Sequence, residues 1–217
     1  MERFLNKEYL IVTLLYLFQI SAIVGISQGY FNWFIEKTPL VLGLNFLSLL
    51  YLSRPLSKKF FSVSFLLFLG GMVIEWSGIS FSFIFGEYFY GENLGYKLFG
   101  VPLLIGVNWM VLVVISNCIS KRLVSNKIIV SLLGAFLMVF LDFFIEPNTE
   151  RFDFWIWTEG EAPFRNFVMW FVFAFLLQLL FSFSIKAKFS KNTVHIYLSQ
   201  LLFFVYFYFY FYFYYGL

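Results

Sequence analysis

The chain has 217 residues, 61% of them hydrophobic and 12% charged, and its mean hydropathy of +0.84 excludes an ordinary soluble domain. A single Cys and a single His exclude an intramolecular disulfide, a thiolate–imidazole dyad, bis-histidine haem ligation and a zinc site of ordinary ligands. The net charge of +3 suggests an acidic partner only until the charges are mapped, when they separate by side and leave no nucleic-acid-binding patch.

A helix needs about 20 apolar residues to cross roughly 30 Å of hydrocarbon, and seven stretches approach that length. They are Tyr9–Gln28, Thr38–Ser53, Phe60–Ser77, Gly100–Ser120, Ile128–Glu146, Asn166–Lys186 and Val194–Tyr215. The first is long for a secretory apolar core and lacks a small-x-small cleavage site, so it reads as a retained span. The second is the shortest. Lipid cannot satisfy free backbone groups, and none of the seven shows the alternation of a barrel strand, so all read as helices. The last run, 206–215, alternates Tyr and Phe at period two, as a β-ladder would. Its continuity with Val194-His195-Ile196-Tyr197-Leu198 favours a helix with an aromatic outer end. The predicted fold is therefore all-α: one integral membrane domain, residues 1–217, forming a bundle of about seven spans, with functional outer loops at about 78–100 and 146–166.

Seven spans put Arg3, Lys7, Arg54, Lys58, Lys59, Lys121, Arg122, Lys127, Lys186, Lys188 and Lys191 on one side, and only Lys37, Lys97, Arg151 and Arg165 on the other. The positive-inside rule makes the first side, with the N-terminus, cytoplasmic. Acidic residues sort oppositely: only Glu2 and Glu8 lie inside. For most outer carboxylates, such as Glu36, Glu92 and Glu159, topology alone accounts for their place. Three are different, because they fall at the outer ends of spans. Asp142 and Glu146 lie four residues apart on one face of the fifth span, about 6 Å apart along its axis, and Pro147 disfavours helix at Glu146. Glu75 ends the third span at an equivalent depth. Carboxylates at one level within a bundle are expensive and point to a site.

Around them the outer segments are rich in rings, among them Trp76, Tyr88, Tyr90, Trp109, Trp155, Trp157 and Trp170. An interfacial belt explains part of that enrichment. Glycines at 86, 91, 95 and 100 beside the rings suggest a folded lid as well. Asn108 and Asn166, near helix starts, supply uncharged donors and acceptors that orient a carboxylate or a water; for Asn166 a helix-terminal role is an equal reading.

Five motifs then carry a resemblance. They are Phe85-Gly86-Glu87-Tyr88-Phe89-Tyr90 with Leu94-Gly95; Gly100-Val101-Pro102-Leu103-Leu104-Ile105-Gly106-Val107-Asn108-Trp109; Asp142 with Ile145-Glu146-Pro147; Trp155-Ile156-Trp157; and Pro163 with Asn166 and Trp170. In order and spacing over roughly residues 70–170 they resemble the bacterial carotenoid 1′,2′-hydratases, polytopic enzymes that add water across the terminal double bond of an acyclic carotenoid end. The flanking spans match only in being hydrophobic. The resemblance implies a multi-pass protein of the bacterial inner membrane, a polyene substrate entering from the lipid, and association with other carotenoid-pathway enzymes. The position of Glu87 is commonly non-acidic in that family, so Glu87 is not assigned a catalytic role.

Adding water to an unactivated alkene requires proton transfer to carbon, giving a tertiary cation. The site then needs a carboxylic acid that keeps its proton, ring faces that stabilise the cation, and a water with a basic partner. Asp142, the deepest carboxyl, is the expected acid, with Glu146 or Glu75 as base. Trp109, Trp155, Trp157 and Tyr88 are expected to line the cation, and Tyr90, Asn108, Asn166 and Trp170 to complete the substrate site. No metal or organic cofactor enters this scheme. A carotenoid cyclase begins with the same protonation and differs in product. A small transporter would want ionisable residues or helix breaks along the full membrane depth, whereas spans four to seven are uninterrupted below Asp142. The last span lacks the Lys of a retinal-binding receptor.

Overall fold

A computed structural model of the chain describes residues 2–186 and 189–215, with side chains described for 7–186 and 189–214. Lys188, counted above among the inner charges, lies outside the described residues. The helices α1 (Glu2–Ser27), α2 (Phe31–Ile35), α3 (Thr38–Leu52) and α4 (Lys58–Ser80) come first. The short strands β1 (Tyr88–Tyr90), β2 (Lys97–Leu98) and β3 (Val101–Pro102) lead into α5 (Leu103–Leu123) and α6 (Lys127–Ile145). Strand β4 (Trp155–Trp157), α7 (Phe164–Ser184) and α8 (Val194–Tyr215) follow. Seven helical segments among the described residues are long and apolar enough to cross a membrane, so the chain is an all-α, seven-span bundle.

Two of the differences from the expected span boundaries have a clear local cause. The second span is longer, running from Phe31 to Leu52, because α2 and α3 stack across a turn at Glu36-Lys37, with a proline in the first turn of α3. The fourth begins at Leu103 instead of Gly100. Lys97 and Leu98 pair antiparallel with Pro102 and Val101, and Phe99 and Gly100 between them both take positive φ (50° and 85°). That is the signature of a two-residue type I′ hairpin, and it holds the chain extended until Pro102 opens the helix.

Helix α5 runs through the middle, packing against α4, α6 and α7 and touching α3 and α8. Every residue from Trp109 to Cys118 is buried. Hydrophobicity does not drive helices together within lipid, so close approach and polar bonds matter. Close approach is visible at Gly71, where a Cβ would meet the Trp109 Cβ at 2.6 Å. The polar bonds lie deeper: Asn117 Nδ2 donates to Gln178 Oε1 (2.8 Å) and Ser182 Oγ (2.7 Å), and Gln178 Nε2 donates to Ser116 Oγ (2.7 Å). These tie α5 to α7 in the membrane interior.

The aromatic run of α8 is helical, and its period-two alternation acquires a new meaning there. Residues four apart are of one kind, so each helical face is uniform. Phe207 and Phe211 are buried against Phe152, Phe209 and Phe213 face outward, Tyr206, Tyr210 and Tyr214 stack along one flank, and Tyr208 and Tyr212 occupy the other.

Candidate active site

The site lies beneath the face that carries the 81–102 and 146–163 segments, called the outer face below. It is built from two helix ends and one ribbon. On α6 and its capping residue, Met138, Asp142, Ile145 and Glu146 follow one another at helical spacing, and on α5 Ile105, Asn108, Trp109 and Leu112 do the same, so each helix turns one stripe toward a common space. Helix α4 adds Glu75 from its outer end, and α7 adds Asn166 and Trp170, again four apart.

The ribbon is β1 paired antiparallel with β4, with Tyr88 opposite Trp157, Phe89 opposite Ile156 and Tyr90 opposite Trp155. Its ends are extended by Gly91 N–H to Phe154 O (3.0 Å) and Thr158 N–H to Glu87 O (3.0 Å). Alternation along a strand sends Tyr88, Tyr90, Trp155 and Trp157 to the inner side, while Phe89 is 53% exposed on the outer side. Asp153 locks the next turn, its Oδ2 accepting from the backbone N–H of Glu92 (2.9 Å) and Asn93 (3.0 Å). Asn93 in turn donates to Phe152 O and to Ile35 O, each at 3.0 Å, which fastens the lid to the second span.

All eleven residues singled out from the sequence line one cavity of about 30 Å³. Their polar bonds divide the three carboxyls sharply. Glu75 Oε2 accepts from Tyr88 Oη (2.8 Å) and Tyr90 Oη (2.6 Å), and its Oε1 accepts from Trp109 Nε1 (2.8 Å). Glu146 Oε2 accepts from Trp157 Nε1 (2.8 Å) and Trp155 Nε1 (3.1 Å), and its Oε1 accepts from Asn166 Nδ2 (2.8 Å). Asp142 is 2% exposed, and neither oxygen has a hydrogen-bond partner among the described residues. Buried carboxylates are tolerated when several donors face them, which describes Glu75 and Glu146; Asp142 has no such support. Two close carboxyls also resist joint ionisation.

The donors stay donors. Burial, and then the Glu75 carboxylate, hold the phenols of Tyr88 and Tyr90 well above the usual tyrosine range, so both remain protonated in ordinary buffers. Trp109 stacks on Trp170, with centroids 4.1 Å apart and ring planes 26° apart, and Tyr88 lies 4.8 Å from Trp157. Because Glu75 takes the Tyr88 O–H and the Trp109 N–H, and Glu146 takes the Trp157 N–H, these three rings present π-faces and edges to the interior.

Asn166 gives its amide to Glu146 across the cavity; no cap bond from a side chain is formed at the start of α7. Glu87 keeps its side chain exposed and contributes only its carbonyl to the ribbon, while Glu36 and Glu92 pair with neighbouring lysines in solvent. Trp76, Phe81 and Phe83 point outward, as belt residues do. Four apolar walls of the cavity, Ile105, Leu112, Met138 and Ile145, were not among the residues singled out. The signal for them was the same helical spacing that joins Asp142 to Glu146, continued one turn further from Trp109 and from Asp142.

A protein-family model described as "carotenoid biosynthesis protein" matches residues 36–217, most of the chain. No curated protein and no solved structure matches it.

Proposed function

This chain belongs to the carotenoid biosynthesis protein family, and from that premise we propose that it is a hydratase, adding water across the terminal double bond of an acyclic carotenoid end. One observation carries the reading: Asp142, a buried carboxyl whose oxygens have no hydrogen-bond partner among the described residues, faces the same aromatic cavity as two carboxyls that each accept three hydrogen bonds.

In the proposed reaction, Asp142 gives its proton to the less substituted carbon of the terminal alkene, and the π pair forms the new C–H bond. The more substituted carbon becomes a tertiary cation. Trp109, Trp157 and Tyr88 offer π-faces to it, each worth about 0.5–2 kcal/mol, and an ionised carboxylate beside it adds a negative field. Water attacks the cation, and the resulting oxonium loses a proton to Glu146. Passing that proton to Asp142, one helical turn away on α6, restores the starting state. The sum is one water added to one alkene.

The cavity size agrees with this order. About 30 Å³ holds one or two waters but not an isoprenoid end, so the end group must spread the walls as it arrives. A water held beside the acid before the cation forms favours capture by water over ring closure. The test is expression in cells that make lycopene, followed by mass and absorption spectra of the extracted pigments. The expected product is heavier by one or two waters with its chromophore intact. An unchanged mass with a shortened chromophore would replace hydration by cyclisation.

A further inference from the structure

Beside the site lies a second, larger hollow of about 780 Å³, lined low down by Phe143, Phe167 and Tyr208 and higher up by Tyr212, Glu150 and Arg151. Glu146 and Trp157 belong to both hollows, so a wall made by their hydrogen bond of 2.8 Å separates them. We propose that this groove holds the terminal part of the polyene substrate and delivers its end to the cavity past the Glu146–Trp157 wall. The inference rests on the hydratase reading for the identity of its occupant.

Three observations support that occupant. The groove reaches from the outer loop down to rings on spanning helices, where Phe143 and Tyr212 are 48% and 51% exposed. Its lower part is aromatic from three helices, with Phe143 6.2 Å from Phe167 and 5.9 Å from Tyr208 by ring centroid, which suits a flat conjugated chain. A volume of this size accepts a long apolar segment while the remainder stays in lipid. The uniform Tyr face of α8 acquires a purpose in this arrangement, because Tyr208 and Tyr212 stand one turn apart along the groove.

The test uses the full chain in membranes of lycopene-producing cells, with a diazirine-bearing phenylalanine in place of Tyr208 or Phe143. The control position is Phe65, 60% exposed on α4. Irradiation should give lycopene-mass adducts at 208 and 143 at least ten times more often than at 65. A second variant, Ala162→Trp, narrows the groove wall and should raise KM for lycopene about tenfold while kcat changes less than twofold. Adducts no more frequent than at Phe65, or adducts of phospholipid only, overturn the groove. Pigments that gain water without adducts sink the groove and keep the hydratase; adducts without hydrated pigment keep the groove and sink the hydratase.

Discussion

Replacing Asp142 by Asn separates the proposed acid from everything else at the site. Asn matches the carboxyl in size, and no hydrogen bond is lost, because neither Asp142 oxygen has a partner among the described residues. If Asp142 carries its proton, the change swaps one neutral group for another, and the melting temperature in detergent should stay within about 3 °C of the parent. Hydration should fall by about 10² to 10⁴, the usual worth of a general acid, equivalent to about 3–5 kcal/mol. The opposite assumption gives a different number. An ionised Asp142 about 6 Å along the helix from the Glu146 carboxylate would repel it by about 3 kcal/mol at an effective dielectric of 20. Removing that charge would then raise the melting temperature by about 6–11 °C. The assay pairs a thermal melt with lycopene hydration measured by mass. Full activity in Asp142→Asn, or a melt raised by that amount, would refute the assignment of the acid.

Glu146→Gln should behave differently, because an amide oxygen serves Trp155 and Trp157 but leaves its NH₂ facing the Asn166 amide. The lost bond should cost about 1–3 kcal/mol, visible as a lower melting temperature, and hydration should drop at least a hundredfold with it. Asp153→Ala removes the acceptor for two backbone N–H groups of the lid; amide exchange in β1 and β4 should quicken about tenfold, while the exchange of α5 stays unchanged. The phenols of Tyr88 and Tyr90, raised by burial and then by Glu75, predict an alkaline limit. Their folded pKa values exceed the unfolded value, so the stability they contribute is complete below about pH 10 and is lost as pH rises further, at about 1.4 kcal/mol per unit for each phenol. Melts between pH 9 and 12 should therefore fall less steeply for Tyr90→Phe than for the parent, and equal slopes would contradict the burial argument.

Much of this was legible in the chain because the membrane simplifies the problem. A span of apolar residues has one available structure, and a carboxyl within it is an anomaly that needs partners, so Glu75, Asp142 and Glu146 stood out by depth alone. What stayed hidden was the pairing of elements far apart in sequence. Tyr88-Phe89-Tyr90 and Trp155-Ile156-Trp157 each alternate, yet three residues are too short a run for alternation to announce a strand, and both read as loop. The same shortness hid the hairpin at 97–102, where a Phe at positive φ gives no sign in the sequence. In α8 the misleading signal was real but ambiguous, since period two and the helix repeat of four residues agree on which residues share a face.

The ribbon links the two carboxyls that have donors, Glu75 and Glu146. Its β1 half supplies both phenol donors of Glu75, its β4 half supplies both indole donors of Glu146, and Tyr88 and Trp157 face each other across it. Any movement that withdraws Trp157 from Glu146 strains the strand that keeps Tyr88 on Glu75. A polyene end pushing past Trp157 would therefore loosen donors at both carboxyls together, freeing Glu146 oxygens at the moment a proton acceptor is needed. Closure behind the end group would restore the donors and favour release of that proton back to Asp142. In the proposed hydration the donors would time proton transfer, and single losses such as Trp157→Phe should slow hydration through kcat, by about tenfold, more than through KM. A change in KM alone, measured over a range of lycopene contents, would show that the indole only shapes the cavity.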